Sequence, residues 1–282
     1  MLEEHPVTAI ERYRAMIDVV NVQREALRVA DLGPGRWSEH APSYRFDPRR
    51  PLDGNLAQLA ELVQPDDQVV DVGGGAGRIG LPLALRCRSL TNVEPAPGMG
   101  DEFLSLAGEA GVTNATLVRS DWVGADVEGD VVLSVDVVYF VREIGDFVRK
   151  LDRAARRRVA IWSWSPTPPA RNARLFEIAF GVEQARAPDH RELLPVLWEE
   201  GFLPEVRLLP EPFTWPERAR LPQSAEEAVA FALREVEAEA VPEAGDRVAA
   251  HLDELFAKDV AGRWQPTWRP RLAGLLITWE TS

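Results

Sequence analysis

The residues best placed to do chemistry stand in one run, Val69-Val70-Asp71-Val72-Gly73-Gly74-Gly75-Ala76-Gly77-Arg78. A short apolar strand runs into a glycine cluster, and a helical pattern follows. Glycines let the backbone bend sharply and keep side chains out of the space above the turn. A helix start offers unpaired N–H groups. A nucleotide-like cofactor belongs at such a place, beyond the carboxyl end of a strand. The competing reading is a plain structural turn, but this many glycines cost more unfolded-state entropy than an ordinary turn requires.

Two cofactor classes fit the turn. Gly75-Ala76-Gly77-Arg78-Ile79-Gly80 is a literal G-x-G-x-x-G, the pattern of a dinucleotide site, and implies an NAD- or FAD-linked oxidoreductase. Asp71 argues the other way: an acid at the turn repels a pyrophosphate and suits a zwitterionic, sulfonium-bearing ligand. Asp71-x-Gly73-x-Gly75-x-Gly77 resembles the first motif of class I S-adenosylmethionine-dependent methyltransferases, with Gly74 inside it.

The resemblance covers residues 52–210 and the last strand. It implies S-adenosylmethionine as cofactor and assigns a site. Glu94, with Pro95 beside it, ends the second strand, where the family's acid accepts from both ribose hydroxyls; a dinucleotide site also uses an acid there. Asp121 and Trp122 follow the third strand, where an acid and the next backbone N–H meet the adenine ring. Asp136 and Val137, after the fourth strand, would lie near the methionine part or the adenosine. Gly201-Phe202 before a late strand also resembles the family's C-terminal signature.

A general base is harder to name. Tyr139 and Phe140 stand where many small-molecule methyltransferases carry histidine. Tyr139 could orient a substrate, although packing is the commoner role. His40 lies in Trp37-Ser38-Glu39-His40-Ala41-Pro42-Ser43-Tyr44, a segment that could fold over the cofactor, with Trp37 and Tyr44 shielding it. An exposed or satisfied histidine is the default reading. No Asn-Pro-Pro-Tyr-type motif follows the fourth strand, which argues against amino methylation of DNA bases. Cys87 is not in a Pro-Cys loop, which argues against cytosine C5 methylation; core burial suits it better. Trp162 and Trp164 share a strand face, and Trp164 could line an apolar pocket.

The elements around these residues alternate. Strands are predicted at 68–72, 90–94, 115–119, 130–135, 158–164, 202–209 and 273–279. Helices are predicted at 7–30, 76–85, 98–110, 144–155, 190–200, 225–240 and 246–257, with Asp53 capping a short one through Val63. The expected fold class is α/β: a doubly wound, mostly parallel seven-stranded sheet with N-terminal helices and a helical insertion. The divisions are 1–51 as an N-terminal cap, 52–210 with 273–282 as the cofactor-binding domain, and 211–272 as a helical insertion, either lid or dimer contact.

Composition sets outer bounds. The 282 residues carry 45 acidic and 32 basic side chains, a net charge of −13 that disfavours nucleic acid as partner. One cysteine and four unclustered histidines predict no metal. No signal-like segment or long apolar stretch is present, so the expectation is a cytoplasmic enzyme with no membrane contact, a small-molecule acceptor and a possible homodimer. A non-catalytic binding protein of the same fold is the further alternative.

Overall fold

The computed structural model describes residues 7–27, 29, 34–212 and 221–281. Its centre is a seven-stranded sheet built from β1 (Gln68–Val72), β2 (Ser89–Val93), β3 (Ala115–Val118), β4 (Gly129–Val135), β5 (Ala155–Ser165), β6 (Glu205–Leu208) and β9 (Ala273–Glu280), in the order β3-β2-β1-β4-β5-β9-β6. The five strands β1 to β5 run parallel, and β9 lies antiparallel between β5 and β6. The order reverses between β1 and β4. In such sheets the ligand crevice opens at the carboxyl ends of the strands flanking that point.

Both faces of the sheet are covered, which is why its inner strands carry apolar side chains on both sides. On one face α1 (Ala9–Ala26), α6 (Ile144–Ala154) and α8 (His190–Glu199) pack on Val70, Val72, Val132 and Ile161. On the other, α3 (Gly54–Ala60), α4 (Gly80–Ala84) and α5 (Pro97–Glu109) pack on Val69, Leu90, Val131 and Leu133. Helix α2 (Pro34–His40) leans on α5, where the Gly98 N–H donates to Ser38 Oγ at 3.1 Å. Strand alternation puts Asp71 on the same face as Val69, under the start of α4.

Cap chemistry sets several helix ends. Thr8 and Glu11 form a capping box at α1, and Asp189 and Glu192 form another at α8. Asp53 Oδ1 accepts the Leu56 N–H, as expected. Helix α4 is shorter than the predicted 76–85. Gly77 sits at φ +85°, so residues 73–79 make a turn and the helix starts only at Gly80.

A third cluster lies apart from the two sheet faces. It joins α7 (Ala173–Phe180), α9 (Ala225–Glu235), α10 (Ala244–Ala250), α11 (Leu252–Leu255) and a small hairpin of β7 (Phe256–Lys258) and β8 (Trp264–Pro266). The expected helix over 246–257 thus breaks into two pieces and runs into a strand. Helix α7 falls inside the 52–210 stretch, yet its Leu175, Phe176 and Ala179 pack with Ala228, Phe231 and Val248 of the insertion. The apolar faces of α7, α9 and α10 lack the sheet as a partner and bury one another instead. Part of the insertion, residues 213–220, and Gly33 of the N-terminal irregular stretch lie outside the described residues. Among the described residues no helix is long and apolar enough to cross a membrane, and no group of His, Cys, Asp or Glu could hold a metal ion.

Candidate active site

A cavity of about 300 Å³ opens at the carboxyl ends of β1 and β4. That is the lower end of the range for small-molecule sites. Its floor is the turn 73–79, and the turn is tied down from within. The Gly73 N–H donates to Val93 O at 2.8 Å, and the Gly77 N–H to Gly74 O at 3.0 Å. The Gly75 N–H donates to Glu94 Oε2 at 2.9 Å, and Asn92 Nδ2 reaches Gly75 O at 2.9 Å. Gly73 and Gly74, beside the cavity, leave no room for a side chain. A Cβ on Gly73 would lie 2.6 Å from Val137 Cγ2, and one on Gly74 2.5 Å from Asp71 Oδ2.

Three carboxylates face or underlie this cavity. Asp71 is 1% exposed, and neither of its oxygens makes a hydrogen bond of normal geometry. Burial, then the charge of Glu94, push its pKa up to about 7, against the pull of Arg78 and the Gly80 N–H. Glu94 is 7% exposed; its two oxygens accept the Gly75 and Ala96 N–H groups, at 2.9 and 2.7 Å. Its pKa is raised by burial in spite of these donors.

Asp136 closes β4 at φ +63°, a left-handed conformation that costs an aspartate on the order of 1 kcal/mol and is stored where a site needs it. Its Oδ2 accepts from Arg78 at 2.8 Å and its Oδ1 from the Tyr139 hydroxyl at 2.7 Å. Burial raises its pKa, with Arg78 opposing.

Aromatic rings wall the cavity on the β4 side. Trp37 meets Tyr44 edge-on at 6.3 Å and Phe140 at 5.8 Å, and Phe140 meets Tyr139 at 4.9 Å. Helix α1 anchors this wall: the buried Tyr13 hydroxyl donates to Val138 O at 2.7 Å, inside the 3-10 turn that carries Tyr139 and Phe140. Pro168, after β5, completes the rim.

Solved structures share this architecture. The YcgJ protein of Bacillus subtilis superposes with a TM-score of 0.54 at 14% identity, covering 80% of this chain and 97% of its own. A candidate methyltransferase from Bacillus halodurans C-125 gives 0.53 at 12%, with the same coverage. The chain has the class I methyltransferase fold. A Synechocystis magnesium protoporphyrin IX methyltransferase, solved with bound S-adenosylhomocysteine, aligns at 19% identity and a TM-score of 0.48, over 73% of this chain and 95% of its own. No protein-family profile matches the sequence, and no curated protein matches it either.

Within the methyltransferase fold, the residues singled out by sequence separate into two groups. Asp71, Gly73, Gly74, Gly75, Glu94, Pro95, Asp136, Val137 and Tyr139 line one cavity. Gly77 stands behind them and shapes the turn against Leu81 and Phe103. The rest are placed elsewhere. The Asp121 side chain is exposed and accepts the Gly124 N–H at 2.7 Å, capping a turn. Trp122 is buried on α6: its Nε1 points to Phe147 O at 3.4 Å, and Lys150 Nζ sits 4.8 Å from its ring centre. His40 is exposed at the end of α2, outside the lining. Trp162 and Trp164 are both core residues, and Trp164 also faces Asp136.

Asn92 and Arg78 escaped the sequence reading. Asn92 is a fully buried amide in β2, and a side chain of that type in a covered strand was the available signal. Arg78 gave none, because its role depends on where the turn points.

The buried acid makes a testable pH dependence. A carboxyl whose folded pKa lies above its unfolded value binds more protons when folded, so stability falls as pH rises from about 4 towards 7. In urea unfolding, the midpoint of the native protein is expected to drop between pH 5 and pH 7.5 by more than that of Asp71→Asn. Equal slopes would remove Asp71 as the cause.

Proposed function

We propose that this chain is an S-adenosylmethionine-dependent methyltransferase acting on a small-molecule acceptor. One observation carries the choice of cofactor. A dinucleotide turn offers its amides to a pyrophosphate. Here the Gly73, Gly75 and Gly77 amides are bonded to the chain itself, and Asp71, Glu94 and Asp136 surround the turn with negative charge. That field favours a sulfonium and an ammonium group over phosphate oxygens.

The residues present fit the group. Glu94 retains an acceptor lone pair on each oxygen beyond its two backbone donors, as a ribose diol requires. The face of Gly75 is open: a Cβ there would meet only Met99 Sδ, at 3.7 Å. The Asp71 oxygens lie under the turn as an uncompensated buried acid. Bound S-adenosylmethionine supplies an electrophilic methyl on sulfur. The protein's part is then to hold the acceptor in line, exclude water and take away a proton where the acceptor has one to lose.

Calorimetric titration tests this reading. S-adenosylmethionine and S-adenosylhomocysteine are expected to bind in the micromolar range and NAD not at all. Binding of NAD or FAD alone would replace this assignment with an oxidoreductase. Adenosyl binding without turnover of any acceptor would point to a binding protein of the same fold.

A further inference from the structure

The cavity has two chemically distinct ends. Glu94 and Pro95 follow β2, on one side of the glycine turn; Asp136, Tyr139 and Phe140 follow β4, on the other. Resting on the methyltransferase reading, the β2 end takes the adenosyl group, which leaves the β4 end to the acceptor.

Of the three carboxylates, only one can serve an acceptor. Asp71 is enclosed beneath Gly74 and Gly80, whose added Cβ atoms would stand 2.5 and 2.7 Å from its Oδ2. Glu94 is stapled to the Gly75 and Ala96 amides. Asp136 lines the cavity on the acceptor side, with Tyr139 as its immediate neighbour, and the Tyr139 oxygen keeps acceptor capacity while its own proton points at Asp136 Oδ1. The wall around this pair is aromatic, from Trp37, Tyr44 and Phe140, and such a wall suits the face or edge of a flat ring.

We infer that the acceptor is a planar aromatic hydroxyl compound, a phenol, and that Tyr139 and Asp136 form the relay that removes its proton. The acceptor O–H donates to Tyr139 Oη as the Tyr139 proton passes to Asp136 Oδ1. The freed oxygen pair forms the new O–CH3 bond, and the breaking S–CH3 bond leaves its electron pair on sulfur. One proton ends on Asp136 and leaves to solvent. Arg78, on the other oxygen of Asp136, keeps the carboxylate ionised before transfer. Burial works the other way and gives the carboxylate the basicity to accept a proton.

The test uses 4-nitrophenol, whose phenolate absorbs in the visible, with protein saturated with S-adenosylhomocysteine. Calorimetry first establishes S-adenosylhomocysteine binding; its failure would sink the methyltransferase reading and this inference with it. With that ligand bound, 4-nitrophenol is expected to bind, cyclohexanol not to displace it, and the bound phenol to ionise at least one pH unit below the free one. Tyr139→Phe and Asp136→Asn are each expected to abolish that shift. Tyr139→Phe leaves the S-adenosylhomocysteine affinity within about twofold, whereas Asp136→Asn, which also removes a charge beside the cofactor, is measured at saturating S-adenosylhomocysteine. Asparagine tolerates the left-handed backbone at 136, so the fold should survive. A loaded protein that does not bind 4-nitrophenol, or variants that ionise it as the native protein does, would overturn the assignment.

Discussion

Gly77→Ala is expected to destabilise the protein by about 2–5 kcal/mol, the sum of left-handed backbone strain and overpacking. Gly77 sits at φ +85°, and a Cβ there would lie 2.6 Å from Leu81 Cγ and 2.7 Å from Phe103 Cδ2. Both neighbours are fully buried, so neither can move aside cheaply. In thermal unfolding of a chain this long, this corresponds to a Tm lowered by roughly 3–9 °C. Gly75→Ala is the control. At φ +55° its Cβ would meet nothing nearer than 3.7 Å, so it bears the backbone strain alone, about 1–2 kcal/mol. Its methyl would stand over the cavity, and its main effect should fall on adenosyl binding. Equal stability losses in the two variants would show that the turn does not pack on α4 and α5 as described.

Glu94→Gln is expected to weaken S-adenosylhomocysteine binding roughly ten- to a hundredfold. Glu94 holds two backbone N–H groups and, in the proposed complex, the ribose diol. An amide can present only one oxygen, so its NH2 group must face either Gly75 N–H or Ala96 N–H, donor against donor. Losing a charged acceptor costs about 1.5–3 kcal/mol, and each 1.4 kcal/mol is a factor of ten in affinity. The Gly75 staple weakens in the same step, so thermal stability should fall too. Calorimetry on Glu94→Gln with intact S-adenosylhomocysteine affinity would remove Glu94 from the cofactor site. Measured beside Gly75→Ala, it separates loss of the ribose acceptor from obstruction of the cavity.

Much of this molecule could be read before its structure. Strand and helix alternation marked the sheet, because strands covered on both faces must be apolar and helices half-covered must be periodic. Asp71 and the glycines marked the turn, and Glu94 at a strand end marked a residue that lines the same cavity. Gly201, at φ +86°, ended α8 as its type suggested. Where the reading stopped, direction was the missing quantity. The Asp121 carboxylate caps a turn and the Trp122 ring packs on α6, so neither side chain lines the cavity; the Trp122 backbone N–H, which the resemblance gives to adenine, is a separate group. The helix expected from Ala76 yields to the turn because Gly77 adopts a conformation open to glycine and closed to helix.

Pattern and spacing therefore marked a doubly wound, mostly parallel sheet and a glycine turn after its first strand. These depend on residue types at short range: apolar period, glycine freedom, an acid at a strand end. The acceptor side was decided by packing alone. Trp37 and Tyr44 come from the N-terminal segment, Arg78 from the first turn, Asp136, Tyr139 and Phe140 from the end of β4, and Pro168 from beyond β5. They are far apart in sequence and share no spacing. They meet because α1 pins the turn after β4 through Tyr13, and α2 lies across α5. No local rule of sequence encodes a contact made by four separate elements, and that contact is where the proton of the acceptor would go.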